Sequence, residues 1–410
     1  MAIVVEQGQW QRVVEGGITA ARGFRAAGIH AGIKASRPDL ALIVSDTLAS
    51  AAGVFTTNLV KAAPVLVSQE RIQSGAAQAI VVNSGNANAC TGAQGMADAR
   101  EMAALTAAAL GIAEEFVLVG STGVIGIPMP MDALRGGIPM LPPALSADGG
   151  QAAAEAILTT DAFTKTAAVR LPLKGTTVTI GGMAKGAGMI HPEMATTLCF
   201  LTTDAAVPAP LLRRALREAV DRSFNAISVD GDTSTNDTVF LLANGHAGHA
   251  PLLEEDGEDV ARFTAALTAV AAELARLVVK DGEGATKVIT VTVRGARSTA
   301  DARRVMRTVT TSPLVKTAIY GGEPNWGRIL AAAGRAGADL APDLAEIAIA
   351  GVPVVRGGQG LAGAMPRAAE GMAQAEYEIV LDLHLGEGEA TGWTCDLNEG
   401  YVKINAGYMT

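Results

Sequence analysis

Cysteine is scarce in this chain, with three in 410 residues. Cys90, Cys199 and Cys395 are odd in number, scattered and in no metal-like pair, which argues against a disulfide framework and reads as reduced cytoplasmic thiols. Histidine is nearly as rare, at five. His246 and His249 stand three apart in a Gly/Ala loop without a third ligand nearby, so no metal is expected there. His30 and His384 stand alone and read as structural. No Ser/His/Asp or Cys/His constellation assembles, and a catalytic base must come from elsewhere. Charged residues make up only 18% of the chain, and their balance of −9 disfavours nucleic acid or an anionic membrane as partner. The most apolar helical stretch, Ala265 to Val279, carries Glu273 and Arg276 and falls short of the ~20 residues a membrane span needs. The opening residues lack a basic region followed by an apolar core, so no signal peptide is expected.

Hydrophobic residues make up 49% of the chain, enough for a sizeable core in two domains or one large α/β unit. Short apolar runs at Leu40–Val44, Ala79–Val82, Phe116–Val119, Val178–Ile180 and Leu198–Leu201 predict buried strands. Helices are predicted over Ala97–Leu110, Gln151–Leu158, Leu211–Arg222 and Val260–Val279. Val288–Val293 and Tyr377–Leu385 alternate apolar and polar residues, as half-exposed antiparallel strands do. The Pro/Gly-rich segment Arg135–Gly150 reads as a loop or a hinge. These proportions point to an α/β or α+β fold.

Two clusters resemble ligand loops and fail on inspection. Gly182-Met-Ala-Lys-Gly-Ala-Gly188 lacks the ending of a P-loop and the spacing of a dinucleotide fingerprint. Asp230-Gly-Asp232-Thr-Ser234-Thr-Asn236 starts like a calcium loop but has Thr235 and Leu241 where glycine and glutamate belong, so it reads as a polar turn. More informative is Lys185-Gly-Ala-Gly-Met-Ile-His-Pro-Glu-Met-Ala-Thr196-Thr-Leu-Cys-Phe-Leu-Thr-Thr-Asp204, apolar, rich in glycine and holding one Ala195-Thr196 junction. A threonine hydroxyl is a poor nucleophile by itself. If the chain is cut before it, the freed α-amine, of pKa roughly 7.7–8.0, can take the hydroxyl proton. The stretch therefore reads as a self-cleavage site that creates a catalytic N-terminal threonine, which supplies the missing base.

That stretch occurs together with Asn83-Ser-Gly-Asn-Ala-Asn-Ala-Cys-Thr-Gly92, Ser121-Thr-Gly-Val-Ile-Gly126, Ser228-Val-Asp-Gly-Asp-Thr-Ser-Thr-Asn-Asp-Thr238, Lys280-Asp-Gly-Glu-Gly-Ala-Thr-Lys287 and Pro324-Asn-Trp-Gly-Arg328. In this order the motifs closely resemble the ornithine acetyltransferase family of arginine biosynthesis, from the region of Phe55-Thr-Thr-Asn58 to the last residue. The resemblance implies a precursor cut between Ala195 and Thr196 into an α chain, 1–195, and a β chain, 196–410, that stay together as one intertwined enzyme. It implies acetyl transfer from N-acetylornithine to glutamate through an acetyl-threonine intermediate, without a metal or cofactor, and leaves acetyl-CoA open as a second donor. Thr196 is then the nucleophile, and Thr122 and Gly123 form the oxyanion hole. Thr159, Lys185, Thr196, Glu283, Asn405 and Thr410 bind substrate, with Lys185 suited to a carboxylate and Glu283 to the ornithine ammonium. The implied fold is a layered αββα sandwich similar to, but topologically distinct from, the N-terminal nucleophile hydrolases, with a smaller second lobe. Two α and two β chains are expected to form a heterotetramer in the cytoplasm.

Some positions depart from the family pattern. Thr197 replaces a common methionine and offers a second hydroxyl; Gly407 and Met409 alter the tail; Ala162 follows Thr159-Thr-Asp where threonine is usual. Two other classes stay open: a self-cleaving amidase or aminopeptidase of the related D-aminopeptidase type, and an uncleaved, inactive binding protein. The first would use water in place of glutamate as acceptor. The second is disfavoured by the intact nucleophile and oxyanion turn.

Overall fold

The computed structural model describes residues 10–13, 15–191 and 197–407. Its strands in chain order begin with β1 (Gln11–Val13), β2 (Phe24–Ile29), β3 (Leu40–Phe55), β4 (Ala76–Asn86), β5 (Val117–Val124), β6 (Lys165–Leu173), β7 (Thr176–Lys185) and β8 (Leu198–Thr203). They continue with β9 (Ile227–Ser228), β10 (Thr238–Ala243), β11 (Val288–Ala296), β12 (Glu346–Ile349), β13 (Val352–Arg356), β14 (Gln359–Gly360), β15 (Glu376–Asp382) and β16 (Gly388–Cys395). Among the described residues these make a sheet of nine strands in the order β1-β6-β7-β8-β10-β3-β4-β5, with β2 also on β3, and a sheet of seven in the order β14-β13-β12-β15-β11-β16-β9. The α/β class expected from the sequence is borne out.

The continuous apolar runs arise because both faces of the first sheet are covered. In β3, Leu40, Leu42 and Val44 pack with Met102 and Ala103 of the Gly92–Leu110 helix, while Ala41 and Ile43 pack with Ala153 and Ala154 of the Gly150–Ala156 helix. The same alternation splits β8: Cys199 and Leu201 face the core shared with the Ala209–Asp221 and Gly257–Lys280 helices, and Leu198 and Phe200 face the opposite one. The Gly257–Lys280 helix touches β6 and β7 of the first sheet and β16 of the second, so it joins the two layers.

Connection length sets the strand directions. β4 and β5 are parallel, and the Gly92–Leu110 helix between them provides the crossover a parallel pair requires. Long β3 accepts two partners end to end on one edge, β2 along Leu40–Ser45 and β10 along Ser50–Phe55, while β4 takes the other edge with a register shift between Val44 and Ala49. β8 is antiparallel to β7 and parallel to β10, which places strands from beyond residue 197 in the middle of a sheet otherwise built from earlier residues.

Two expectations need correction. Arg135–Gly150 is neither a plain loop nor a hinge: it contains the end of a Met131–Gly137 helix, a 3-10 turn at Ile138–Met140 and a Leu141–Ala144 turn. Its prolines stand in first turns, where a missing N–H does no harm, and Ser146 exchanges two backbone hydrogen bonds with Ala26. β15 does alternate, with Tyr377, Ile379 and Leu381 inside, but it pairs with β11 in parallel. The antiparallel neighbour of β11 is β16, and that of β15 is β12.

Phe240 anchors one core. It is fully buried, and its ring centroid lies 5.8 Å from that of Phe55 and 5.9 Å from that of Phe200. Phe240→Ala should lower stability by ~3–5 kcal/mol, the usual loss for emptying an aromatic site, read as a lower denaturant midpoint at constant slope.

Candidate active site

β4 and β5 end side by side in register, Asn83 opposite Ser121, Ser84 opposite Thr122 and Gly85 opposite Gly123. Carboxyl ends of parallel strands are the usual place for a site, because the chain turns away there and leaves a crevice. Gly123 has φ +135°, and a Cβ built on it would lie 2.3 Å from the Gly85 carbonyl carbon, so no side chain fits. The turn is pinned from below. Ser121 Oγ donates to Asn83 Oδ1 at 2.6 Å, and Asn236 Nδ2 donates to the carbonyls of Ala87 at 2.7 Å and Ser121 at 2.8 Å. These bonds leave Thr122 and Gly123 on the wall of a cleft of about 260 Å³.

Lys185, the last residue of β7, brings a charge to the same wall. It is 5% exposed, donates to Thr159 Oγ1 at 2.7 Å and approaches Thr122 Oγ1 at 3.5 Å. Thr159 is held by Asp161, whose carboxylate accepts from the Thr159 N–H at 2.9 Å and from the Gly186 N–H at 2.7 Å. Burial opposes the charge of Asp161, yet Lys185 and Lys165 together hold its carboxyl far below the usual range. Of the two threonines at this turn, Thr159 is the one that meets Lys185.

Opposite charge comes from Glu283, 8% exposed, on the turn after the Gly257–Lys280 helix. Its N–H donates to the Ala187 carbonyl at 2.9 Å, and Asn405 Nδ2 donates to its carboxylate at 2.7 Å. A Cβ on Gly188 would come within 2.6 Å of that carboxylate, so the glycine-rich segment is what lets Glu283 reach the cleft. Asp230 closes the same end. It accepts from the N–H groups of Met189 at 2.6 Å and Ile190 at 2.9 Å, and from Tyr401 Oη at 3.3 Å. Burial raises its carboxyl pKa above the ordinary value, against those backbone bonds. Tyr401 and Asn405 lie on the Glu399–Gly407 helix.

Thr122, Gly123, Thr159, Lys185, Glu283 and Asn405 are thus brought together on one cleft. Ala195, Thr196, Met409 and Thr410 lie outside the described residues. Thr197 is 2% exposed, donates its N–H to Asp237 at 3.0 Å and offers its carbonyl to the Thr238 N–H at 3.1 Å. His249 and His246 take structural hydrogen bonds, with the Ala206 N–H and the Thr47 hydroxyl respectively. No His/Cys/Asp/Glu group suited to a metal occurs among the described residues, and no helix among them is long and apolar enough to cross a membrane. Sequence reasoning passed over Asp161, Asp230, Asn236 and Tyr401. Asp230 had been read as part of a polar turn, which it is; its two partners in the 189–190 backbone are what draw it into the cleft.

Comparison with known proteins identifies the family. Residues 25–410 match the ArgJ family. A protein of Symbiobacterium thermophilum named arginine biosynthesis bifunctional protein ArgJ is 54% identical over 96% of this chain and 99% of its own. One of the same name from Geobacter sulfurreducens is 54% identical over 95% of this chain and 99% of its own. Among solved structures, a chain of the ArgJ protein of Bacillus halodurans is 48% identical, with a TM-score of 0.44 over 45% of this chain and 98% of that one. A chain of the ornithine acetyltransferase of Mycobacterium tuberculosis, solved with ornithine, is 41% identical, with a TM-score of 0.42 over 46% of this chain and 100% of that one. The chain belongs to the ArgJ family.

One further cation stands close by. Lys34 donates to the carbonyls of Leu158 at 2.6 Å and Pro38 at 2.9 Å, next to the Thr159 turn. Burial first, then the nearby Arg37 and Lys185 charges, pull its pKa down from 10.5 to about 8 against the attraction of Asp39. The unfolded chain therefore holds this proton over a range where the folded one has lost it. The contribution of Lys34 to stability rises as pH climbs from about 8 to about 10.5 and is lost as pH falls through 8. Lys34→Met should remove that rise, seen as a smaller gain in Tm across this interval than in the parent.

Proposed function

We propose that this chain is a glutamate N-acetyltransferase of arginine biosynthesis that takes acetyl from N-acetylornithine, and that its precursor cuts itself between Ala195 and Thr196. The observation that carries the proposal is the convergence of Thr122, Gly123, Thr159, Lys185, Glu283 and Asn405 on one cleft from segments far apart in the chain. The names borne by relatives 54% identical over nearly the full length support it and favour the transferase over an aminopeptidase.

Thr196 Oγ attacks the Ala195 carbonyl in the precursor; the peptide C–N bond breaks as the ester forms, which frees the Thr196 amine. Water then hydrolyses the ester, returning the Thr196 hydroxyl and leaving Ala195 with a free carboxylate. In the mature protein this amine takes the hydroxyl proton as Oγ attacks the acetyl carbonyl of N-acetylornithine. The C–N bond breaks, the proton passes to the leaving nitrogen, and ornithine departs. Glutamate then attacks the acetyl-threonine ester through its amine, returning the hydroxyl to Thr196 and leaving as N-acetylglutamate. Each tetrahedral intermediate places its oxyanion against Thr122 and Gly123, and a donor of this kind typically contributes ~2.7–4 kcal/mol. Lys185 meets the substrate carboxylate and Glu283 the side-chain ammonium of ornithine, with Thr159, Asn405 and Thr410 completing the pocket. Thr197, buried and bonded to Asp237, supports Thr196 rather than its neighbour as nucleophile.

No cofactor enters this scheme. The word bifunctional in the relatives' name supports a second acetyl donor, for which we propose acetyl-CoA. The α chain, 1–195, and β chain, 196–410, stay interlocked through the shared sheet, and two such pairs form a heterotetramer. Buried and unbridged Cys199 and Cys395 suit a cytoplasmic setting.

Denaturing intact-mass measurement of the purified protein should show two chains, the second beginning at Thr196. Thr196→Ala should leave a single inactive species of 41.7 kDa; normal processing of that variant would remove Thr196 as nucleophile. Glu283→Ala should raise KM for N-acetylornithine by about tenfold or more, the worth of ~1.4 kcal/mol, and unchanged kinetics with that donor would remove Glu283 from the site.

A further inference from the structure

Behind the cleft runs a row of four alternating charges, Asp281, Lys165, Asp161 and Lys185, of which the proposed chemistry uses only the last. Lys165 Nζ lies 2.6 Å from Asp281 and 2.7 Å from Asp161, and Lys185 Nζ lies 3.6 Å from Asp161. Lys165 is wholly enclosed, its side chain 0% exposed, and it touches nothing in the cleft. We infer that Lys165 is a positioning residue for substrate recognition: it occupies Asp161 so that Lys185 remains available to the substrate carboxylate.

The geometry of Asp161 carries this. One of its oxygens accepts from Lys165 at 2.7 Å and from the Gly186 N–H at 2.7 Å; the other accepts from the Thr159 N–H at 2.9 Å. Lys185 is held off at 3.6 Å, beyond hydrogen-bond length, and gives its short bond to a neutral hydroxyl, Thr159 Oγ1, at 2.7 Å. An ammonium bonded to a neutral partner keeps most of its attraction for an incoming carboxylate. Without Lys165, the buried charge of Asp161 would have Lys185 as the one cation within ion-pair distance among the described residues, and a substrate would have to break a buried ion pair to bind. Asp281 completes the balance. It shares Lys165, accepts from the Ala162 N–H at 3.0 Å and leads directly into Gly282 and Glu283.

The inference rests on reading Lys185 as the carboxylate partner, and the test separates the two. Lys165→Met, Asp161→Asn, the double variant Lys165→Met/Asp161→Asn and Lys185→Met would be assayed as processed enzymes. The readouts are kcat and KM for N-acetylornithine, and inhibition by ornithine against 1,4-diaminobutane, which lacks the carboxylate. Lys165→Met should raise KM and the ornithine inhibition constant by about tenfold, the worth of ~1.4 kcal/mol, with kcat and diaminobutane inhibition nearly unchanged. The double variant, with both charges gone, should return KM to near the parent value, and Asp161→Asn alone should not raise it. If Lys165→Met does not fold, because Asp161 is left poorly paired, the double variant carries the test: parent-like KM supports the inference and a raised KM overturns it. A Lys165→Met enzyme that keeps its parent KM, or that loses ornithine and diaminobutane alike, overturns it as well. Lys185→Met with unchanged KM would instead bring down the underlying reading of Lys185.

Discussion

A carboxylate with no water around it must have its charge answered and its lone pairs filled, and Asp161 imposes that requirement on everything near it. Its partners come from three places: the turn before β6, the start of β6 and the first residue after β7. None of these can shift without leaving a buried charge exposed to apolar surroundings. Thr159, and through Gly186 the end of β7 that carries Lys185, are therefore anchored on a group that does not line the cleft. The same logic passes through Lys165 to Asp281 and so to the turn that presents Glu283. Lys185 and Glu283, of opposite charge on one cleft, are thus linked by one continuous electrostatic chain rather than set by separate local turns.

Much of the fold was legible because burial on both faces leaves an unmistakable record. Runs such as Leu40–Val44 and Leu198–Leu201 have no polar side to hide, and each lies inside an observed strand. β6 escaped notice for a physical reason: it opens with a lysine and contains Pro172, both of which speak against a strand, yet the lysine is neutralised and the proline lies beside the turn to β7. The pairing of β11 with β15 could not be read either. Alternation along a strand reports which side is wet and carries nothing about the direction of its neighbour.

The candidate site divides in the same way. Gly123, Lys185 and Glu283 lie in motifs whose family resemblance assigned their roles. Asp161 and Lys165 have no such signature, and Asp281, although it stands in the Lys280–Lys287 motif, takes its meaning from Lys165, 116 residues away. Asp230 and Asn236 looked like turn formers, and they are; their further duty depends on backbone groups of Met189, Ile190, Ala87 and Ser121 that no local pattern reveals.

The order of the nine-stranded sheet has a consequence for how the chain comes into being. Take away β8 and β10, and the remainder falls into two pieces with no shared edge, β1-β6-β7 on one side and β2-β3-β4-β5 on the other. The portion before residue 197 therefore cannot complete its own sheet; it has to await the portion made after it. A backbone that is whole just ahead of β8 keeps the missing strands at a high effective concentration during assembly, an advantage that a break made before folding would forfeit. Once such a break is made, the folded form can no longer be regained by a single chain, and refolding becomes an encounter between two chains that weakens with dilution.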